Sequence, residues 1–301
     1  MNQTRTVVKS KNKKKGHLIV KVVKNSSGYA LKDLVIGSEG TLAIITEATL
    51  KLFPLPQKTV SLLIPFSTRE DAINAVPRVI QEHSLPTAVE FLESDSLLFS
   101  EEFLGKKIPH ADYPAYLLVS YDGNSDEQIQ DDVDATSALC VDELGAIDVY
   151  LVDTEERKTS VWSARGAFLE AIKASTTEID ECDVVLPRSK INEYLTFTKN
   201  VSTELNVRIP YFGHAGDGNL HIYFCKDDLQ ETEWKHILQV GFDKMYKKAF
   251  ELGGLVSGEH GIGFAKKEYL AQQVGPTQIA IMKGIKQVFD PNNILNPGKV
   301  I

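Results

Sequence analysis

An α+β fold, with an antiparallel or mixed sheet covered by helices, is what this 301-residue sequence predicts, on three observations. From Lys58 to about Cys225, short β-rich runs alternate with helix-length amphipathic segments, the rhythm of strands joined through helices. No GxGxxG turn follows any of those strands, which argues against a doubly wound parallel sheet. Glycine and proline clusters punctuate both flanks, setting them apart from the sheet segment.

The expected strands are Thr59 to Pro65, Ala88 to Phe91, Ala115 to Tyr121, Asp148 to Val152, Val207 to Phe212 and Leu220 to Phe224. Between them, Thr68-Arg69-Glu70-Asp71 has the character of a capping box, Glu127 to Leu139 has helical spacing, and Thr154 to Ala174 opens with acids and repeats apolar residues every three or four positions. Such crossovers suggest helices on one face of the sheet. Upstream, the turn Gly37-Ser38-Glu39-Gly40 feeds the β-branched run Thr41 to Leu50, which Pro54 and Pro56 close. Downstream, a helix over Thr232 to Leu252 stops at Gly253-Gly254, and a second over Pro276 to Phe289 stops at Asp290-Pro291.

Composition narrows the function classes. A net charge of -8 argues against a nucleic-acid partner, which needs a surplus of Lys and Arg on one face. The basic run Lys9, Lys11, Lys13, Lys14 and Lys15 sits among few apolar residues and reads as a flexible arm over residues 1–23. No stretch is apolar for long enough to be a transmembrane segment and no signal-peptide core follows the basic run, so a cytoplasmic protein is expected. Cys140, Cys182 and Cys225 lie far apart without a CxxC pair, which encodes neither a disulfide framework nor an iron–sulfur cluster.

Chemistry concentrates in two segments. Gly213-His214-Ala215-Gly216-Asp217-Gly218-Asn219-Leu220-His221 places two imidazoles on either side of a tight turn, as a hairpin with a His on each arm. If the arms pair, the rings can converge on one divalent transition metal with a carboxylate as third ligand. Alone, this spacing is more often that of hydrogen-bonded structural histidines. In Val256-Ser257-Gly258-Glu259-His260-Gly261-Ile262-Gly263, an acid beside a His between glycines is difficult to explain by packing, and close approach of the backbone to something else is the natural motive.

These segments, together with Gly37-Ser38-Glu39-Gly40-Thr41-Leu42-Ala43-Ile44-Ile45-Thr46 and Asp290-Pro291-Asn292-Asn293-Ile294-Leu295-Asn296-Pro297-Gly298-Lys299, form four ordered signatures. The chain from about Lys24 onward resembles the FAD-linked oxidases with the vanillyl-alcohol-oxidase type of fold, in the branch of glycolate oxidase flavin subunits, D-lactate dehydrogenases and D-2-hydroxyglutarate dehydrogenases. The resemblance implies a remnant of the FAD-binding domain over 24–56, its last strand included, and a substrate cap domain over 57–301 with a C-terminal helical segment. It implies FAD along Gly37, Ser38, Gly40, Thr41 and Ile44, with Asn296 also toward the cofactor, and Ala43 stands where a glycine is more usual. It implies a divalent metal, Zn, Fe or Mn, on His214, His221 and Glu259. His260 would be the general base, and Arg165 would hold the carboxylate of a small 2-hydroxy acid. The residue-level alternative for Arg165 is a surface helix arginine packed on Trp162.

Two departures qualify the resemblance. The D-2-hydroxyglutarate enzymes carry a lysine shortly before an Asp-x-x-Leu-Pro segment, whereas this chain has Glu181-Cys182-Asp183-Val184-Val185-Leu186-Pro187, which favours D-lactate or glycolate over a dicarboxylate. Asp183 itself suits either a capping role or support of a metal-ligating histidine. The family's glycine-rich pyrophosphate loop has no counterpart before Lys24, so a truncated or split chain is expected. The resemblance implies a quinone, an iron–sulfur subunit or an electron-transfer flavoprotein as electron acceptor, and no motif selects among them. The competing readings are a metal-binding cap remnant without flavin and a hydrolase in which the two-His, one-Glu site activates water.

Overall fold

Six consecutive residues, Ser61 to Phe66, are buried along one strand, so inward-facing positions occur at odd and even numbers alike. Such a strand needs cover on both faces of its sheet. The structure, a computed structural model, describes residues 26–301 apart from 49, 83, 84, 109 and 110, together with the backbone of two short strands, β1 (Val7–Lys9) and β2 (Lys15–His17). The chain divides into two units: a sheet unit, residues 56–259, and a flanking unit, residues 1–55 with 260–301. Residues 260–301 group with the amino-terminal segment.

The sheet unit holds β3 (Lys58–Phe66), β4 (Ala88–Glu93), β5 (Ala115–Gly123), β6 (Tyr150–Val152), β7 (Ile179–Val185), β8 (Tyr211–His214) and β9 (Asn219–Cys225). They form one seven-stranded sheet in the order β6-β3-β5-β4-β8-β9-β7, antiparallel at every pairing. Its helices are α2 (Arg69–Gln81), α3 (Ser94–Leu104), α4 (Asp126–Ala138), α5 (Glu155–Ala174), α6 (Ile191–Leu205) and α7 (Glu231–Glu251). Thr68, Ser125 and Thr154 cap α2, α4 and α5 by accepting the N–H of the residue three positions on, which satisfies donors that a helix start leaves open.

Helices cover both faces, where the sequence rhythm suggested one. On the first face Leu63, Leu92, Tyr116, Leu118, Phe212 and Tyr223 pack with Ala164 and Phe168 of α5 and Leu97 of α3. On the second, Tyr211 meets Arg69 of α2, Tyr121 bonds Thr136 of α4, and Phe224 stacks edge-on with Phe242 of α7. Neighbours in sequence, Tyr211 and Phe212 or Tyr223 and Phe224, thus divide between the two faces, as strand alternation requires.

In the flanking unit α1 (Leu31–Val35) precedes the Gly37–Gly40 turn, and α8 (Lys267–Phe289) is broken at Gly275, whose φ of 77° and ψ of 172° admit Pro276 as the start of its second half. The β-branched run Thr41 to Leu50 does not become a strand. Among the described residues it makes a single bridge at Ile45, because an extended segment joins a ladder only where a neighbouring strand takes its hydrogen bonds. Of the amino-terminal basic run, the stretch Lys11 to Lys14 lies outside the described residues. The strands on either side of it pair, Val7 with His17 and Lys9 with Lys15.

Candidate functional site

Register does most of the work of assembling the site. Phe212 lies across from His221, His214 from Asn219, and Asp183 from His221, so two histidines and two of the acids of β7, Glu181 and Asp183, share one face of the sheet, the face covered by α5. The four-residue turn between β8 and β9 closes through Asp217 N–H to His214 O and Gly218 N–H to Ala215 O. Gly218 has φ +80°, and a Cβ there would stand 2.1 Å from the Leu186 carbonyl oxygen, so only glycine fits. The rings of His214 and His221 are 5.5 Å apart and nearly perpendicular.

The third group arrives from the loop after α7. Asp183, fully buried, accepts Ser257 Oγ at 2.7 Å and the N–H groups of Gly258 and Glu259 at 3.1 and 3.4 Å. Gly258 passes so close to Asn219 that a Cβ would meet its side-chain oxygen at 1.9 Å. Held this way, Glu259 Oε1 stands 3.2 Å from His221 Nε2 and 3.8 Å from His214 Nε2. Ligand atoms on a tetrahedral shell with bonds of about 2.1 Å are roughly 3.4 Å apart, and the two separations from Glu259 Oε1 lie on either side of that value. One donor atom from each residue lies within 4.8 Å of the others. His221 is buried while Glu259 is half exposed, which leaves one side of the group open.

Each ring is aimed by a carboxylate on its other nitrogen. His214 Nδ1 is 2.7 Å from Glu90 Oε1, and His221 Nδ1 is 3.0 Å from Glu181 Oε1. An imidazole whose Nδ1–H donates to a carboxylate presents the Nε2 lone pair, and both Nε2 atoms face Glu259. Arg165 of α5 closes the far side: its Nε and Nη2 lie 2.9 and 2.8 Å from Glu90 Oε2, and its guanidinium sits 4.8 Å from the centre of the Phe212 ring. It is therefore a largely buried ion-pair arginine. Trp162, its sequence neighbour, turns to Ser61 Oγ instead. Burial would push Glu90 up, but the bond from His214 and the charge of Arg165 more than offset it and hold its pKa below the usual carboxylate value. The hydrogen bond to Glu90 in turn raises the pKa of His214.

Asp183 thus supports the loop that carries Glu259, whereas the carboxylates bonded to the histidines are Glu90 and Glu181, neither of which sequence reasoning singled out for this role. For Glu90 the signal was legible, since an acid in the middle of Ala88-Val89-Glu90-Phe91-Leu92 is a charge inside a buried strand.

His260 begins the second segment of the flanking unit and is exposed. The loop that follows is fixed by Glu39, whose carboxylate accepts the N–H groups of Ile262 at 2.8 Å and Gly263 at 2.7 Å. Ser38 Oγ donates to Val35 O, Thr41 Oγ1 to Ser38 O, and Asn296 Nδ2 to Glu39 O, so Ser38 and Thr41 brace the turn from within and Asn296 is tied to it from the carboxy-terminal segment. At Gly37 the space a Cβ would occupy is open, and Ile44 is 62% exposed, so a ligand can approach this backbone.

Residues 55–300 match the family model of the FAD linked oxidases, C-terminal domain. Among curated proteins the chain is 51% identical over 288 residues to a D-lactate dehydrogenase of Anaerostipes hadrus, and 36% identical over 281 residues to the glycolate oxidase subunit GlcD of Bacillus subtilis. These alignments take in 93% of this chain, 60% of the first relative and 59% of the second. The chain therefore spans about 60% of the length of the curated relatives it matches. Among solved structures, p-cresol methylhydroxylase superposes with a TM-score of 0.75 at 15% identity, over 100% of this chain and 65% of that one, a likeness of fold. No helix among the described residues is long and apolar enough to cross a membrane.

Proposed function

This chain belongs to the FAD linked oxidase family, and from that premise we propose that it forms the substrate side of an enzyme oxidising a small 2-hydroxy acid, D-lactate or glycolate, to the 2-oxo acid. The observation that carries the proposal is the convergence of His214 Nε2, His221 Nε2 and Glu259 Oε1, each ring held from behind by a carboxylate. Two imidazole nitrogens and one carboxylate oxygen suit Zn, Fe or Mn with positions left for substrate oxygens. Bound there, the metal would act as a Lewis acid that lowers the cost of ionising the substrate hydroxyl.

His260 is the base that accepts the hydroxyl proton while hydride leaves the substrate α-carbon. Arg165 holds the substrate carboxylate. Glu90 occupies its Nε and Nη2 edge, so the N–H pair on Nη1 is the part of the fork suited to an anion. Glu181, an acid beside His221, disfavours a second substrate carboxylate and directs the preference to monocarboxylates. FAD, supplying the hydride acceptor when bound, would be held along Gly37, Ser38, Gly40, Thr41 and Ile44, with Asn296 supporting the turn, and electrons would pass on to an iron–sulfur subunit or an electron-transfer flavoprotein. An acidic chain with three buried cysteine thiols suits the cytoplasm.

The test is metal binding by calorimetry together with flavin reduction by D-lactate in FAD-loaded enzyme. His214→Ala, His221→Ala and Glu259→Gln should each lose metal. His260→Ala should keep metal and slow flavin reduction roughly a hundredfold. Undiminished reduction in His260→Ala would end the assignment of the base, and metal retained in all three ligand variants would end the metal reading. Metal binding without any flavin reduction would leave a non-catalytic metal-binding domain.

A further inference from the structure

Glu90 touches both halves of the proposed chemistry at once. Its side chain is 6% exposed, in the middle of β4, with Oε1 on His214 Nδ1 at 2.7 Å and Oε2 on Arg165 Nε and Nη2 at 2.9 and 2.8 Å. A buried carboxylate is costly unless paired, and here the two pairings are a metal-ligand candidate and an anion-clamp candidate. Glu181 on the other histidine is different, since its neighbour is a phenol: the Tyr223 hydroxyl, whose pKa is raised by burial and by the Glu181 charge.

We propose that Glu90 is a positioning residue that couples metal ligation at His214 to the setting of Arg165, so that metal and substrate carboxylate bind cooperatively through it. The inference rests on the metal reading given above and adds to it a route between the two subsites. A cation on His214 Nε2 withdraws electron density from the ring and makes its Nδ1–H a stronger donor. Glu90 Oε1 then takes a larger share of the carboxylate charge and Oε2 a smaller one. The bond from Arg165 to Oε2 weakens, and the guanidinium, still seated on Phe212, becomes a better partner for an incoming carboxylate. In the other direction, a carboxylate on Arg165 strengthens Glu90 as acceptor for His214 and tightens the metal. Linkage requires the two effects to be equal.

The experiment has an arm that needs neither metal nor variant. In the metal-free wild-type chain, nitrogen NMR at a pH where the ring is neutral should show His214 protonated at Nδ1 and bare at Nε2. The opposite tautomer overturns the proposal. Glu90→Gln, which keeps shape, should bind Co(II) or Zn(II) about 10- to 100-fold more weakly by calorimetry. D-lactate, titrated without FAD, should tighten at least about fivefold when metal is present in wild type and show no such dependence in Glu90→Gln. Arg165→Met should keep most of the metal affinity and lose the D-lactate effect. Should Glu90→Gln fail to fold, Glu90→Asp, shorter by one methylene, should still weaken metal and carboxylate binding together. A Glu90→Gln protein that melts lower but binds metal and D-lactate as wild type would show the carboxylate to be merely structural. Wild-type protein that binds no metal sinks the metal reading, whereas wild-type binding left unchanged by Glu90→Gln sinks only this one.

Discussion

Leu62, Ile64, Leu117, Leu118, Ile222 and Phe224 of the sheet unit are fully buried, whereas in the flanking unit the buried apolar side chains among the described residues are Val35, Leu42 and Ala43. Leu52, Phe53, Ile281 and Val288 of the flanking unit are 85, 63, 58 and 81% exposed. What orders that unit instead is a set of directional polar contacts. Lys286, nearly buried, donates to Thr41 O at 2.9 Å and Leu295 O at 2.8 Å and pairs with Asp290 at 3.0 Å, while Glu39 takes the two N–H groups of the 262–263 loop. The difference teaches where each candidate residue gets its precision. His214, His221 and Glu90 project from paired strands whose register is fixed by core packing on both faces. His260 sits on a loop that depends on a few hydrogen bonds.

The comparison breaks most directly at the core. Leu118→Ala, removing a fully buried side chain on the α5 face, should destabilise the sheet unit by about 2–5 kcal/mol, while Ile281→Ala on α8 should stay within about 0.5 kcal/mol. Urea unfolding of both variants measures this, and equal losses would show the flanking unit to be as dependent on apolar burial as the sheet.

A smaller and more local effect is expected at Glu39, which has φ 51° and so spends backbone strain to deliver its carboxylate. Glu39→Gln removes the anionic acceptor and should loosen the 262–263 segment by about 1–3 kcal/mol, seen as faster amide hydrogen exchange at Ile262 and Gly263. Exchange at the β9 amides should not change. Protection lost equally in β9 would mean that the two units do not draw on separate sources of order.

Much of the sheet could be read from the sequence because its strands alternate between glycine and proline breaks, and the caps at Thr68 and Thr154 and the stop at Gly253 follow local rules. β7 was not legible. In Ile179-Asp180-Glu181-Cys182-Asp183 the acids outnumber the apolar residues, and the buried positions of β7 are a thiol, a carboxylate and a single valine, Val184, rather than a valine row. With β7 went the part played by Glu181. His214, His221 and Glu259 could be named from glycine-rich spacing, but the carboxylates that support the two histidines come from strands 124 and 40 positions away, and only the sheet register brings them together. The run Thr41 to Leu50 misled for the opposite reason: β-branched residues make a strand only beside a partner.

The smallest expected effect belongs to the rim of the sheet unit, where order is polar as it is in the flanking unit. Arg208 holds Asp227 with two bonds, Nη2 to Oδ1 at 2.7 Å and Nε to Oδ2 at 3.0 Å, and this pairing, opposed by partial burial, lowers the Asp227 pKa from its ordinary 3.8. A lowered carboxylate pKa stabilises the fold at pH above the unfolded value and ceases to do so as pH falls through the folded one. Stability should therefore drop on acidification below about pH 4 in wild type, with Asp227 contributing, and Asp227→Asn should flatten that limb while costing less than about 1 kcal/mol at neutral pH. The pair is about a third exposed, so solvent screens it and added salt should shrink the difference further. Arg208 also donates to Ser175, so it keeps its place in the variant, and the change reports the charge of Asp227 in its pairing with Arg208 and its bond to Thr176. Urea unfolding at pH 3 and pH 7, with and without 0.5 M salt, reads the outcome. A loss at pH 7 as large as that of Leu118→Ala would mean that the rim of the sheet, and not its core, fixes the end of the strands from which His221 projects.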